Sequence, residues 1–102
     1  MPKYILFDSP RQDKRFAVMN EEGKVIHFGQ PGATTYSDGA TDKKKAAYLA
    51  RHSKGGENWE YSGRDTAGFW SRWLLWNKNS VKASMRDLKS RFGIKVDIDD
   101  EL

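Results

Sequence analysis

Apolar residues recur along this chain first at strand spacing and then at helix spacing. Tyr4-Ile5-Leu6-Phe7 is a short β-prone run closed by Asp8-Ser9-Pro10. The proline removes a backbone donor and biases Ser9 to extended geometry, so a strand ends there. Two further runs, Lys14-Arg15-Phe16-Ala17-Val18-Met19 and Lys24-Val25-Ile26-His27-Phe28, flank Asn20-Glu21-Glu22-Gly23. A four-residue connection ending in glycine is a hairpin signal. In the third run Lys24, Ile26 and Phe28 alternate with Val25, His27 and Gly29, so one face is more apolar than the other. This half of the pattern predicts a three-stranded antiparallel meander, which needs a helical layer over its apolar face.

The helical layer follows. Residues 30–38 contain Pro31-Gly32 and read as a loop. Thr41 or Asp42 can cap a helix through Lys43 to His52, with Ala46, Leu49, Ala50 and Ser53 on one face and Lys44, Tyr48 and Arg51 on another. Gly55-Gly56 ends it, and residues 57–64 are polar and irregular apart from Trp59 and Tyr61. A second helix starts near Thr66, with Phe69, Trp73 and Trp76 at i, i+4, i+7. Trp70, Leu74 and Leu75 make it apolar nearly all round, so it belongs in mid-core. The third runs from Ser80 as N-cap to Gly93 as C′ residue, with Val81, Met85, Leu88 and Phe92 as its buried stripe. Ile94 to Ile98 can add a short edge strand. The predicted class is α+β: an N-terminal three-stranded antiparallel meander packed against about three helices. One domain is expected over residues 1–102, with the meander at 1–29, the helical layer at 41–93 and an acidic tail at 94–102.

Composition sharpens this in two ways. Aromatics at 13% supply the buried area that ordinary aliphatic content would not, and zero cysteines exclude disulfides, thiol catalysis and cysteine zinc sites. The N-terminus lacks an apolar run of signal-peptide length, and no membrane partner is expected.

Charge changes the picture more. Residues 1–40 carry five Lys/Arg and five Asp/Glu, residues 41–96 carry thirteen and five, and residues 97–102 carry four acids and no base. The segment charges of 0, +8 and −4 give the net +4. A basic, aromatic body ahead of acids is the composition of a polyanion-binding module. Lys82, Arg86 and Lys89 form a second stripe on the third helix, whose one acid is Asp87. Lys43, Lys44 and Lys45 crowd a helix start, where the macrodipole favours acids, and with Arg51 and Lys54 they make a second basic face.

Competing chemistries are weaker. The tryptophan spacing favours core over base stacking, with Trp59 the better candidate for an exposed ring. His27 and His52 lack metal-site spacing and read as structural or surface residues. Asp8, Asp13 and Asp38 show no spacing that asks for a metal. Walker A, GxGxxG and GxSxG patterns are absent, so no enzyme, cofactor or metal is implied.

A set of short elements carries a resemblance: Tyr4 through Pro10, Asp13-Lys14-Arg15-Phe16, Ile26-His27-Phe28-Gly29, Tyr36-Ser37-Asp38, Ala50-Arg51-His52, Glu57-Asn58-Trp59, Ala67 through Arg72 and Leu75-Trp76-Asn77-Lys78. In these the chain resembles a family of small uncharacterised proteins of nucleocytoplasmic large DNA viruses, the giant viruses of amoebae and algae. The likeness runs from residue 4 to about residue 88. It departs at Gly39-Ala40-Thr41, where such proteins often carry a Thr and a His, so any ligand role for that His does not transfer. No activity attaches to the family. The resemblance implies a viral protein of the virion, the cytoplasmic viral factory or the host nucleus.

The resulting expectation is sequence-independent binding of double-stranded DNA, in packaging or regulation, through Lys43, Lys44, Lys45, Arg51, Lys54, Lys82, Arg86 and Lys89. The alternative is a virion or protein–protein interaction module whose basic surface meets an acidic partner, and an enzyme ranks third. Two open sheet edges also lead to the expectation of a homodimer.

Overall fold

The computed structural model describes residues 1–99 and has an α+β architecture. Strands β1 (Lys3–Asp8), β2 (Phe16–Asn20) and β3 (Val25–Phe28) form consecutive antiparallel pairs. The β2–β3 turn closes as its sequence demands. Asn20 Oδ1 accepts from the backbone N–H groups of Glu22 and Lys24, and Gly23 supplies the left-handed φ of 86°.

The expected three-stranded antiparallel meander is not the whole sheet. A fourth strand, β4 (Lys95–Ile98), lies beside β1 in parallel, giving the mixed order β3-β2-β1-β4. The reason is topological: the chain crosses the helical layer before returning, and a strand reached by such a crossover can run parallel to its neighbour. Val96 and Ile98 pair with Tyr4 and Leu6. Strand residues two apart share a face, so Val96 joins Tyr4 and Leu6 in the core.

Helix α1 (Asp42–Ser53) is capped by Thr41, whose hydroxyl accepts from Lys44 N–H. Its rotation differs from the expected one. Tyr48 is its buried residue, with Lys45 and His52 on the same side, while Ala46 and Ala50 are exposed. One phenol ring hides more apolar surface than two alanine methyls, and the helix turns to bury it.

Helix α2 (Ala67–Trp70) starts at the Thr66 cap and continues as a π turn over Ser71–Leu75, closed by Trp76 N–H donating to Ser71 O at 3.1 Å. Phe69, Trp70, Trp73, Leu74 and Leu75 are all buried, as their spacing requires. Trp76 stands at the end of the turn and is half-buried. Helix α3 (Val81–Phe92) has the predicted limits. Ser80 accepts from Ala83 N–H, and Gly93 ends the helix in the left-handed conformation at φ 67°. The core is the layer between the inner sheet face and α2, its π turn and α3, with Trp70 and Phe28 among its fully buried side chains.

A bidentate ion pair joins the residue before β2 to the 3-10 turn at Tyr36–Asp38: Arg15 Nη1 and Nη2 donate to Asp38 Oδ2 and Oδ1 at 2.5 and 2.6 Å. Asp38 also accepts from the backbone N–H and hydroxyl of Thr35. Arg15 foremost, helped by the Thr35 donors and opposed by burial, holds the Asp38 carboxyl well below the usual carboxylate range. A depressed folded-state pKa contributes stability above the unfolded value of about 3.9 and loses it as pH falls toward the folded value. Asp38→Asn is therefore expected to be less stable than the parent at pH 7, with the gap closing below about pH 4. Thermal melts from pH 7 to 2 read this directly, and a gap as wide at pH 2 as at pH 7 contradicts it.

Candidate nucleic-acid interface

The backbone of α3 fixes where its cations go. At about 100° per residue, Lys82, Arg86 and Lys89 fall within about 60° of one another, whereas Asp87 and Arg91 fall on the opposite flank. Asp87 is turned away from the stripe: it accepts from Asn77 Nδ2 at 2.7 Å and pairs with Arg91 Nε at 3.1 Å. Burial raises its carboxyl pKa, but Arg91 and then Asn77 together outweigh it, so the pKa ends below the ordinary value. The helix's acid therefore leaves Lys82, Arg86 and Lys89 without a carboxylate on their own helix.

Those three cations face β4. An open trough of about 540 Å³ lies between α3 and β4, rimmed by Lys82, Arg86, Lys89 and Lys95 over Met85 and Val96. All four cations are exposed, and none is in an ion pair among the described residues. Asp97 is the acid lining this trough. Lys95 reaches the trough rim from β4, where it alternates with the buried Val96, and sequence reasoning missed it because only the pairing of β4 with β1 brings it there. The rest of the expected acidic tail, Asp100, Glu101 and Leu102, lies outside the described residues.

The cations of α1 form a separate group. Lys43, Lys44, Arg51 and Lys54 are exposed. Lys45 is turned inward: its Nζ donates to Asn77 O at 2.6 Å and sits 4.6 Å from the Tyr36 ring centroid. Burial, then Arg72 and Lys78, lowers its pKa. Lys45 thus ties α1 to the segment before α3 instead of presenting charge to a partner. That segment contacts α3 on the Asp87 flank, so the α1 cations and the α3–β4 trough do not make one continuous stripe.

Neither Trp59 nor Trp76 is a free stacking platform. Trp59 Nε1 donates to Glu57 Oε1 at 2.9 Å, and the Arg72 guanidinium lies 5.5 Å from its ring. Trp76 stacks on Tyr48 at 4.5 Å and 7°, and Tyr48 stacks in turn on His52 at 4.1 Å.

That ring stack walls a cleft of about 530 Å³ which the sequence did not reveal. The His52 Nδ1–H donates to Glu57 Oε2 at 2.8 Å, because a carboxylate can only accept. Gly68 makes room for Glu57: a Cβ there would meet Glu57 Cδ at 2.9 Å. No spacing rule announces this arrangement, since Glu57 and Trp59 come from a segment without periodicity. His52 and Glu57 are five residues apart across the end of α1.

No group of His, Asp or Glu that could hold a metal ion occurs among the described residues, and no helix there is long and apolar enough to cross a membrane. Over residues 4–52 the chain matches a protein family of unknown function, DUF5754. That stretch covers all but the first residue of β1, then β2, β3 and nearly all of α1, and it ends before α3. No curated protein and no solved structure matches the chain.

Proposed function

We propose that this protein binds double-stranded nucleic acid, DNA foremost, without sequence preference, through the trough between α3 and β4. The observation that carries it is the set Lys82, Arg86, Lys89 and Lys95, four exposed cations on one trough with no ion pair among the described residues. Along α3 they rise by about 6 and 4.5 Å, so a single backbone can be followed by successive cations. Three of the four are lysines, point charges suited to phosphate and poor at bidentate base reading. Lys43, Lys44 and Lys54 add a remote patch that raises encounter rates more than affinity. In the setting the giant-virus resemblance implies, the role is packaging or regulation in a virion, a cytoplasmic factory or a host nucleus. Anisotropy of a labelled random duplex tests this. Lys43→Ala/Lys44→Ala/Lys54→Ala should change affinity far less than Lys82→Ala/Arg86→Ala/Lys89→Ala, and the reverse order would move the interface to α1.

A second function has its own supporting observation. The trough floor is apolar, Ile98 at its end is 42% exposed, and β4 is an edge strand. An acidic, partly apolar peptide could add to that edge as a further strand. Displacement of duplex by polyglutamate but not by a mixed acidic-apolar peptide favours nucleic acid.

A homodimer is proposed as well. The outer sheet face leaves Ile5 at 39% and Val25 at 38% exposed, and a second copy would cover them. Light scattering at micromolar concentration should give twice the chain mass of 11.7 kDa, and the monomer mass would contradict it.

A further inference from the structure

The cleft walled by Tyr48 and His52 is not used by the nucleic-acid trough, and its chemistry is one-sided. Its lining contains two carboxylates, and both are engaged by protein. Asp13 accepts from Arg11 Nε and Nη2 at 3.0 and 2.7 Å, and Glu57 accepts from His52 and Trp59 at 2.8 and 2.9 Å. Its two cations, Lys14 and Arg51, make no ion pair among the described residues. The Tyr48 hydroxyl donates to no group among the described residues, although the rest of that side chain is buried. With its Nδ1–H given to Glu57, the neutral His52 ring has Nε2 left as an acceptor. The groups left over are mostly donors, and they ask for an acceptor-rich anion.

The rest of the lining asks for something larger than a bare anion. Ala67, Gly68, Leu75 and the edge of Trp76 give the cleft an apolar side. Its volume of about 530 Å³ lies in the range of small-molecule sites. Small residues beside aromatic edges accommodate a flat ring.

We propose that this cleft binds a nucleoside monophosphate, with Lys14 and Arg51 on the phosphate and the base against the apolar side. Glu57 and Trp59 are positioning residues that set the His52 ring, and Gly68 is the residue that lets them do so. The site is independent of the α3–β4 trough, and either can fail without the other.

Calorimetry with AMP, adenosine and inorganic phosphate at low ionic strength tests this. AMP should bind, and adenosine and phosphate should each bind about tenfold or more weakly, because each lacks half of the recognised ligand. Arg51→Ala and Lys14→Ala should each weaken AMP by about tenfold with unchanged melting temperature, as neither side chain belongs to the core. The variant Lys82→Ala/Arg86→Ala/Lys89→Ala should keep its AMP affinity. A strand end offers the same phosphate. Displacement of AMP by a 5′-phosphorylated oligonucleotide and not by its 5′-hydroxyl form assigns the site to strand ends, and no displacement by either assigns it to free nucleotide. Absence of AMP binding at millimolar concentration, equal binding by phosphate alone, or parental affinity in Arg51→Ala would each overturn the proposal.

Discussion

Alanine at Trp70 is expected to lower the unfolding free energy by about 3–5 kcal/mol, a large share of the ~5–15 kcal/mol of a small domain. Trp70 is 0% exposed, and its ring lies 4.7 Å from that of Tyr4, 5.4 Å from Phe69 and 6.3 Å from Phe28. It thereby joins strands β1 and β3 to α2 in one contact. Its Nε1 also donates to Arg64 O at 2.6 Å, so truncation leaves a cavity and removes the donor from a partly buried carbonyl. Trp70→Phe keeps most of the ring area and loses the donor, so a cost nearer 1–3 kcal/mol is expected. Urea denaturation followed by circular dichroism gives both values. A loss below about 1 kcal/mol for Trp70→Ala would mean that the sheet and helical layer are not joined through this ring.

What could be read in advance was local. Ser80 and Gly93 bound α3 because capping chemistry depends on residues three or four apart. The hairpin at Asn20–Gly23 and the cap at Thr41 were legible for the same reason. The parallel pairing of β4 was not, because a four-residue strand carries no sign of which neighbour it will meet after a helical crossover. The rotation of α1 failed for a related reason. Its apolar stripe was short and weak, and the ring of Tyr48 stacked on Trp76 across the fold and on His52 one turn along its own helix. Sequence placed Lys82, Arg86 and Lys89 on one stripe correctly, but it could not add Lys95 or withdraw Lys45. Both depend on what lies opposite in space. The His52–Glu57–Trp59 arrangement was invisible because it is built from a helix end and an irregular segment.

Removing the trough's charge is expected to have the largest functional effect. Lys82→Ala/Arg86→Ala/Lys89→Ala should flatten the log–log salt dependence of duplex binding by up to about three units, and adding Lys95→Ala by about one more. Each of these side chains is exposed and lies off the buried stripe of α3, so the fold should survive with an unchanged melting temperature. The loss should be the same for unrelated sequences, since the contacts proposed are to phosphate. Unequal losses among sequences would point instead to groove reading.

The most direct measurement is binding of the parent chain to a random duplex of about 20 base pairs at 50 and 200 mM salt, within the range over which counterion release is read. Four phosphates neutralised give a slope near −3.6, so affinity should fall on the order of a hundredfold between the two conditions. No binding at the lower salt, or binding that does not respond to salt, would contradict nucleic-acid recognition by this trough.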